Sequence, residues 1–342
     1  MIDPVEAEPD TAPADVPTDD ATLPPRRTRR RRWLRRAAAT FAALFTAGTL
    51  FSVGYNAATD GRAAVPAGLT YVQTGDVSTR YRQWGTTGTP IVLVHGFIET
   101  ADTWQDLAPL LAARGHRVYA LDLDGWGYTQ RVAPFDITHQ STQLLDFINA
   151  LHLDRPILVG HSSGAAVAAD ATLRSPASIG GLMFLDGDGL ATGAGQKTPL
   201  THLLLNPYRT TLMRLAIRSD AAIRLIYAAA CGPTCPPLDA SGIDQWRRPM
   251  QVPGAEEAVW AMVNLGVAGL PPERLAELAA LPMPKSVVFG GNDSSYDKTT
   301  PDATAALIGA PAPTIIPGAS HLTSVNSPAA VAAAVTTLAA RI

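Results

Sequence analysis

One serine of the chain stands in a setting that can make it a nucleophile. Ser162 is the central residue of a G-x-S-x-G pattern that runs from Gly160 to Gly164. The apolar run Ile157–Val159 before it predicts a buried strand, and the alanine-rich run 163–174 after it predicts a helix. A sharp turn between them would strain the serine backbone and hold its hydroxyl above the strand end. The pattern predicts a nucleophile; a tight turn carrying an ordinary surface serine is the alternative.

A serine hydroxyl needs a general base, and the base needs an acid that orients it. His321 is the candidate base, because it follows a predicted strand and is the only histidine beyond residue 270. Asp293 is the candidate acid, because a glycine-rich turn at the end of another predicted strand carries it. Three other carboxylates remain as rivals for that role: Asp297, Asp186 and Asp188.

A third loop offers backbone donors for an oxyanion. Gly96 follows His95 at the end of a fully apolar run and permits a close approach of the backbone. We therefore expect the amides of Phe97 and Ser163 to form an oxyanion hole. The candidate substrate pocket comprises His95, Ile98, Trp126 and His161, although His95 is expected to be structural rather than a base. The loop 122–129 is expected to shape the edge of the sheet.

The elements that must position these residues alternate along the chain, which predicts an α/β fold. An antiparallel pair opens the domain, and the later strands are separated by helices, which implies a mostly parallel sheet with right-handed crossovers. The predicted strands are 70–72, 79–83, 90–94, 117–121, 157–159, 181–185, 286–289 and 314–316. The predicted helices of this body are 104–114, 138–151, 163–174, 272–281, 301–308 and 328–341.

The alternation stops between residues 189 and 270. This stretch has helical segments near 201–205, 208–218, 221–230 and 256–265 and no convincing strand, so we interpret it as a helical cap inserted over the sheet edge. Its apolar residues would pack the cap and could also enclose an apolar substrate group. Cys231 and Cys235 also lie here, and a small-loop disulfide or two buried thiols are both consistent with their spacing. With no nearby histidine they do not predict a metal site.

The N-terminal region predicts attachment to a membrane. Residues 1–36 form a tail that is acidic and disordered at first and then rich in arginine, and residues 37–55 are uncharged. That apolar segment is long enough at helical rise to cross a hydrocarbon core of about 30 Å. Positive charge stays in the cytoplasm, so a linker at 56–68 and a catalytic domain at 69–342 would lie outside it. A signal peptide that is cleaved, leaving a secreted enzyme, is the alternative; the arginine run resembles a twin-arginine export signal.

The composition of the chain argues against nucleic acid as a partner. The chain has 342 residues, is 46% hydrophobic and carries a formal net charge of -3, which gives no basis for nucleic-acid binding by its body. The arginine block could suggest a nucleic-acid patch, but the adjoining apolar segment favours a membrane role.

These motifs together resemble the α/β-hydrolase superfamily. The resemblance rests on 94–97 (V-H-G-F), 122–127 (D-x-D-G-x-G), 160–164 (G-H-S-S-G), 290–293 (G-x-x-D) and 320–321 (S-H), and it covers about residues 69 to 342. It implies an α/β-hydrolase fold: a mostly parallel central sheet flanked by helices, with a cap. It also implies a triad of Ser162, Asp293 and His321, with Phe97 and Ser163 as oxyanion donors. Ser163 departs from the larger residue common there, but a backbone donor does not depend on its side chain.

The resemblance implies a serine hydrolase without a cofactor or a metal, most simply an esterase or lipase-like enzyme acting on a small apolar ester. A serine nucleophile argues against the dehalogenase and epoxide-hydrolase branches, which use aspartate at that position. Carbon–carbon bond hydrolases, amidases, thioesterases and perhydrolases share the triad and remain alternatives. A binding protein on the same fold is a further alternative, which an intact triad disfavours.

Overall fold

The computed structural model describes residues 26–191 and 205–342, with side chains described from residue 30 onward. The chain divides into two compact units with the boundary after Val53. Helix α1 (Arg26–Ala58) extends across that boundary. Among the described residues, its part from Arg30 to Ala58 is the one helix long and apolar enough to cross a membrane, judged by length and composition. The tail predicted to be disordered, residues 1–25, lies outside the described residues.

The second unit is built on an eight-stranded sheet in the order β1-β2-β4-β3-β5-β6-β7-β8. The strands β1 and β2 pair antiparallel, as do β2 and β4, and the remaining neighbours are parallel. The predicted fold class is confirmed. The strands are β1 Thr70–Thr74, β2 Val77–Trp84, β3 Pro90–Val94, β4 Arg117–Leu121, β5 Ile157–His161, β6 Gly181–Leu185, β7 Lys285–Gly290 and β8 Thr314–Ile316.

Helices cover both faces of this sheet, which explains the continuous apolar strands. In β3, Val92 and Val94 join one buried cluster while Ile91 and Leu93 join the other. The first cluster is closed by α3 (Ile137–Ala150), α4 (Gly164–Arg174) and α10 (Thr300–Ile308). The second cluster is closed by α2 (Ala108–Ala113) and α12 (Pro328–Ala339). A strand that is buried on both faces favours apolar residues at every position, as β3 shows.

The cap leaves and rejoins the sheet body at adjacent points. Leu190 and Leu270 form a parallel bridge, with Ala191 N–H donating to Leu270 O and Leu270 N–H donating to Gly189 O, both at 2.9 Å. Between these points lie α5 (Tyr208–Arg218), α6 (Asp220–Cys231), α7 (Ala240–Arg247) and α8 (Ala255–Leu265). The helix predicted near 201–205 lies outside the described residues except for Leu205, which is not helical.

The structure differs from the sequence prediction at several helices. Residues 104–114 are not one helix: a 3-10 turn at Ala101–Trp104, capped by the Thr100 hydroxyl, precedes the shorter α2, which begins next to Pro109. Helix α9 (Pro272–Ala276) likewise gives way to a 3-10 turn, and a short α11 (Thr323–Asn326) follows β8. Helix α7 was not predicted because Gly242 interrupts its pattern; the Asp239 carboxylate caps it by accepting from Gly242 N–H at 2.8 Å.

A buried carboxylate organises the loop that follows β4. One oxygen of Asp122 accepts from Ala101 N–H at 2.7 Å and from the Arg80 guanidinium at 3.2 Å. Its other oxygen accepts from Tyr128 N–H at 2.7 Å. Gly127 lies against this carboxylate with φ of +57°, and a Cβ there would come within 2.1 Å of it. The loop 122–129 is therefore a structural joint, as its sequence predicts.

Replacing Asp122 by asparagine should destabilise the fold. The amide would present N–H groups to donors that need an acceptor, and the buried Arg80 would lose one of its two carboxylate partners. We expect a loss of about 3 kcal/mol, which corresponds to roughly 6–12 °C in melting temperature for a domain of this size. Differential scanning fluorimetry in detergent measures it, with the exposed Asp154→Asn as control. Equal melting temperatures for the two variants would contradict this account.

Candidate active site

Ser162 lies at the tip of the turn between β5 and α4. Its φ is +52°, in the left-handed region that costs a non-glycine residue about 1–3 kcal/mol. The turn closes only because the flanking residues lack side chains: a Cβ on Gly160 would lie 2.5 Å from Ala165 Cα, and one on Gly164 would lie 2.4 Å from Val94 O. Ser162 N–H donates to Leu185 O at 2.9 Å, which fixes the turn to the neighbouring strand.

The structure brings Ser162, His321 and Asp293 together in one hydrogen-bonded chain. His321 Nε2 lies 3.1 Å from Ser162 Oγ, and His321 Nδ1 lies 2.8 Å from Asp293 Oδ2. Burial tends to raise the pKa of Asp293, but the hydrogen bond and charge of His321 outweigh it and lower that pKa. Asp293 therefore stays a carboxylate, held also by Ser295 N–H at 2.8 Å. The imidazole is oriented with Nε2 directed at the serine.

The rival carboxylates occupy other positions. Asp186 is fully buried and accepts from Gly290 N–H at 2.8 Å and from the Thr323 hydroxyl, so it joins the ends of β6 and β7 to the loop of His321. Asp188 accepts from Leu190 N–H at 3.0 Å at the base of the cap. Asp297 is exposed. Among these candidates, Asp293 is the carboxylate hydrogen-bonded to the His321 ring.

The predicted oxyanion donors flank the serine. Ser163 is the N-cap of α4, so its amide stands at the positive end of that helix. On the opposite side the loop after β3 passes very close: a Cβ on Gly96 would lie 2.9 Å from Ser162 Cβ. The next residue, Phe97, is locked edge-on against Trp126, with ring centroids 4.8 Å apart. Gly96 thus permits a close approach of the loop that carries Phe97, whose amide remains the predicted second donor.

A buried ion pair lies beneath the site. His161 and Glu99 are both buried, with Nδ1 and Oε1 2.8 Å apart. Burial opposes the charge on His161, but the Glu99 carboxylate outweighs it and raises the pKa of His161 to about 9. Burial likewise opposes ionisation of Glu99, but His161 lowers its pKa. His161 Nε2 lies 2.8 Å from the backbone O of His321, so the ion pair fixes the loop that carries the base.

This arrangement corrects two pocket assignments. The side chains of His95 and His161 are fully buried and are not among the residues that line the recess at Ile98 and Trp126. His95 Nδ1 bonds to Gly96 O at 2.8 Å and its Nε2 accepts from Leu123 N–H at 2.9 Å, and burial lowers its pKa. Both histidines were assigned to the pocket because they adjoin site residues in sequence, yet each side chain points into the protein.

The other two predicted pocket residues, Ile98 and Trp126, line a small recess under the cap, whose free volume of about 10 Å³ is enough for roughly one water molecule. Ile98 and Trp126 form one wall, and the cap residues Trp246 and Met250 form another. The cap is fixed here by Gln245, whose amide donates to Asp102 O at 3.1 Å. The ten lining residues include the polar Glu99, Thr100, Thr103 and Gln245, and neither Ser162 nor His321 is among them.

Sequence reasoning missed two residues of the site. Glu99 is one, since its role depends on a partner that lies sixty-two positions away at 161 (161 − 99). Tyr296 is the other: burial raises the pKa of its hydroxyl, which a hydrogen bond to the Ser162 side chain partly offsets, and its ring packs edge-on against Phe289. Its place three residues after Asp293 is the one signal that could have suggested a role.

The cap also supports the loop of the base. Cys231 and Cys235 form a disulfide at the end of α6. Cys231 packs with Tyr227 and with Leu322, the residue after His321, and its carbonyl accepts from Asn326 at 2.9 Å. The disulfide-bonded turn therefore rests directly on the segment that carries His321, the candidate base.

Removing the Glu99 charge should change how stability depends on pH. Because the pKa of His161 is raised from 6.5 to about 9, its stabilising effect is complete below about pH 6.5 and is lost as pH rises through about 9. Glu99→Gln removes the counter-charge, so burial then favours neutral imidazole. We expect the variant to be less stable by on the order of 3 kcal/mol at pH 6 and by much less at pH 10. Melting temperatures between pH 6 and 10 measure this difference.

The exposed Glu273→Gln serves as the control for that series, and its difference from the wild type should not vary with pH. A deficit for Glu99→Gln that is constant from pH 6 to pH 10 would contradict the ionic pairing of Glu99 with His161.

Known proteins resemble parts of this chain. It is 35% identical over 106 residues to epoxide hydrolase A of Mycobacterium tuberculosis, covering 30% of this chain and 33% of that protein. It is 32% identical over 125 residues to 2-hydroxy-6-oxo-2,4-heptadienoate hydrolase of Pseudomonas putida, covering 35% and 45%. The matches thus span a third to under a half of these curated relatives, and whole-protein activities do not follow from them.

The fold is shared more widely. The crystal structure of a serine hydrolase involved in carbazole degradation superposes with a TM-score of 0.66 at 21% identity, covering 80% of this chain and 98% of that one. At this identity the likeness concerns the fold alone. The sequence model of the alpha/beta hydrolase family matches residues 91–334, well over half of the chain, and the protein is thus a member of the α/β hydrolase family.

Proposed function

We propose that this protein is a membrane-anchored serine hydrolase that cleaves carboxylic esters through an acyl-enzyme on Ser162. The observation that carries the proposal is the hydrogen-bonded chain from Ser162 Oγ to His321 Nε2 at 3.1 Å and from His321 Nδ1 to Asp293 at 2.8 Å. A serine is a weak nucleophile unless a base takes its proton as it attacks. These contacts provide the base and the acid that orients it.

In the first half of the reaction, Ser162 Oγ attacks the ester carbonyl carbon while His321 Nε2 takes the hydroxyl proton. The carbonyl π electrons move onto oxygen, and the amides of Phe97 and Ser163 stabilise the resulting negative charge. Asp293 stabilises the imidazolium that forms. Collapse of the tetrahedral intermediate breaks the bond to the alcohol oxygen, which takes the proton from His321 and leaves as the alcohol.

The second half repeats these steps with water. His321 Nε2 removes a proton from water as its oxygen attacks the acyl carbon, and the same amides hold the oxyanion. Collapse breaks the bond to Ser162 Oγ, which recovers its proton from His321, and the carboxylic acid departs. The carboxylate of Asp293 retains its charge throughout, which its lowered pKa supports.

The apolar side chains beside the oxyanion loop favour a small apolar ester. Ile98, Trp126, Trp246 and Met250 offer hydrocarbon surface to an acyl or alcohol group. Glu99 also borders the recess, but its Oε1 is engaged by His161.

Attachment to a membrane rests on the N-terminal helix. Its first turns are rich in arginine and its later turns are uncharged from 37 to 55, an order that keeps the arginines in the cytoplasm and the enzyme outside. The disulfide between Cys231 and Cys235 fits that location, because disulfides persist in oxidising compartments outside the cytoplasm.

A fluorophosphonate probe tests the nucleophile. We expect it to label the wild type at Ser162 and to leave Ser162→Ala unlabelled, with kcat/KM for a short-chain ester falling at least about 10⁵-fold. Ser163→Ala is the matched control: only its backbone amide takes part, so its activity should stay within about threefold. Labelling of Ser162→Ala at the wild-type level would refute the proposed nucleophile.

Substitution of two aspartates that follow β7 tests which carboxylate orients His321. Asp293→Asn should lower kcat roughly 10³- to 10⁴-fold with little change in KM, because the imidazole loses its orientation and the stabilisation of its charge. Asp297→Asn alters an exposed carboxylate four positions further on and should be nearly neutral. Steady-state kinetics on a water-soluble ester measure both, and equal losses for the two variants would argue against Asp293.

A further inference from the structure

The segment that follows the apolar helix is fastened to the cap. The Arg214 guanidinium of α5 is buried and donates to Asn56 O at 2.6 Å and to Asp60 at 3.0 Å. It also forms a bidentate pair with Glu256 of α8, at 2.6 and 2.8 Å. The Thr211 hydroxyl bonds to the Asn56 side chain at 3.0 Å. One buried arginine thus joins two cap helices to residues 56–60, all of which lie in the second unit.

This fastening limits how far the cap can lie from a bilayer. Asn56 directly follows the uncharged segment 37–55, and at helical rise Asn56 to Ala58 advance only about 1.5 Å per residue. Headgroup layers occupy roughly 5–7 Å on each side of the hydrocarbon core. If residues 37–55 span the membrane, α5 is held at the depth of the headgroups or just outside them.

The exposed side of α5 is apolar. Arg214 and Thr211 point toward residues 56–60, and roughly a third of a turn around the helix Leu212, Leu215 and Ala216 are exposed. Leu212 is 52% exposed and Leu215 43%, so two neighbouring leucines present apolar surface to the outside. Arg218, at the C-terminal end of α5, donates to Thr59 O at 3.0 Å. We name Leu212, Leu215 and Ala216 the outer stripe of α5.

We propose that the outer stripe of α5 rests on the outer surface of the lipid bilayer, so that the cap is a membrane-docking element. The proposal depends on the membrane anchoring proposed above. Apolar side chains on an amphipathic helix enter the boundary between headgroups and acyl chains, where burial of their surface stabilises the docked state. Docking of α5 on the bilayer costs little further entropy, because the contacts of Arg214 already hold the helix close to the membrane surface.

Docking would also define the source of the substrate. The cap residues Trp246 and Met250 share a small recess with Ile98, the residue after Phe97, so a cap held on lipid would bring the bilayer close to the loop beside the proposed site. An ester free in water gains nothing from the outer stripe. The enzyme should therefore prefer esters presented in membranes over soluble esters of the same reactive group.

A lipid-depth measurement on the full chain tests the docking directly. Both native cysteines are in the disulfide, so Leu212→Cys introduces a single free thiol for an environment-sensitive fluorophore. In vesicles of phosphatidylcholine and phosphatidylglycerol, doxyl-labelled lipid should quench the label at 212 at least about twofold. The matched label at Ile342→Cys, which is 50% exposed but far along the chain from the anchor, should be quenched by aqueous iodide instead.

Quenching at 212 by iodide and not by doxyl lipid would overturn the docking proposal. Shielding of that label from both quenchers, with energy transfer between differently labelled copies, would overturn it in favour of a second copy of the chain. Carbonate extraction of the same vesicles checks the anchor: release of the chain would refute the anchoring, and the docking with it.

An activity measurement gives an independent result. The double variant Leu212→Glu/Leu215→Glu should keep its kcat/KM for a water-soluble ester within about twofold and lose at least about fivefold for the same ester carried in vesicles. Ile342→Glu should change neither. Equal loss on both substrates would contradict the docking role. Absence of soluble-ester turnover in the wild type would instead refute the proposed hydrolase, whatever the quenching result.

Discussion

The backbone of Ser162 is the constraint on which the site depends. Ser162 has a side chain and yet is held at φ of +52°. This strained conformation persists only because the surrounding backbone fixes the course of the chain on both sides of it. Gly160 and Gly164 allow α4 to start against β3 and β5, and Gly187 lies so near that a Cβ there would approach Ser162 O to 2.4 Å. The hydroxyl thus stands clear of its own strand and within reach of His321.

Strand ends that are distant in sequence are joined at this edge by buried polar groups rather than by apolar packing. Asp186 joins the ends of β6 and β7 to the segment after His321, and Asp122 joins β2, the 3-10 turn after β3 and the loop after β4. A buried polar group is costly unless it is paired, so such links are specific to one arrangement. These links thereby hold the loops of His321 and Asp293 in fixed positions relative to Ser162.

The sequence alone was sufficient for the strands and for the residues at their ends. The run of β3 is apolar at every position because helices cover both faces, and the turn at Ser162 follows from local glycines, so both patterns are visible within a few residues. The ionic partner of His161 was not visible, because Glu99 meets it only after β3 and β5 pair. The assignment of His95 and His161 to the pocket failed for a related reason: adjacency in sequence does not give the direction of a side chain. Helix α7 was not predicted because Gly242 is a poor helix former. The helix forms nevertheless, since the Asp239 carboxylate caps it by accepting from Gly242 N–H.

The pair of Glu99 and His161 also has an electrostatic consequence for catalysis. The rings of His161 and His321 lie 5.1 Å apart, and His161 is protonated at neutral pH because its pKa is raised to about 9. Two positive imidazoliums at that distance would repel by about 3 kcal/mol at an effective dielectric constant near 20, which would oppose proton transfer from Ser162. Glu99 offsets this charge from 2.8 Å, while Asp293 contacts the His321 ring directly at 2.8 Å. The buried pair can therefore hold the loop of the candidate base in place through the His321 carbonyl without opposing the proposed proton transfer above it.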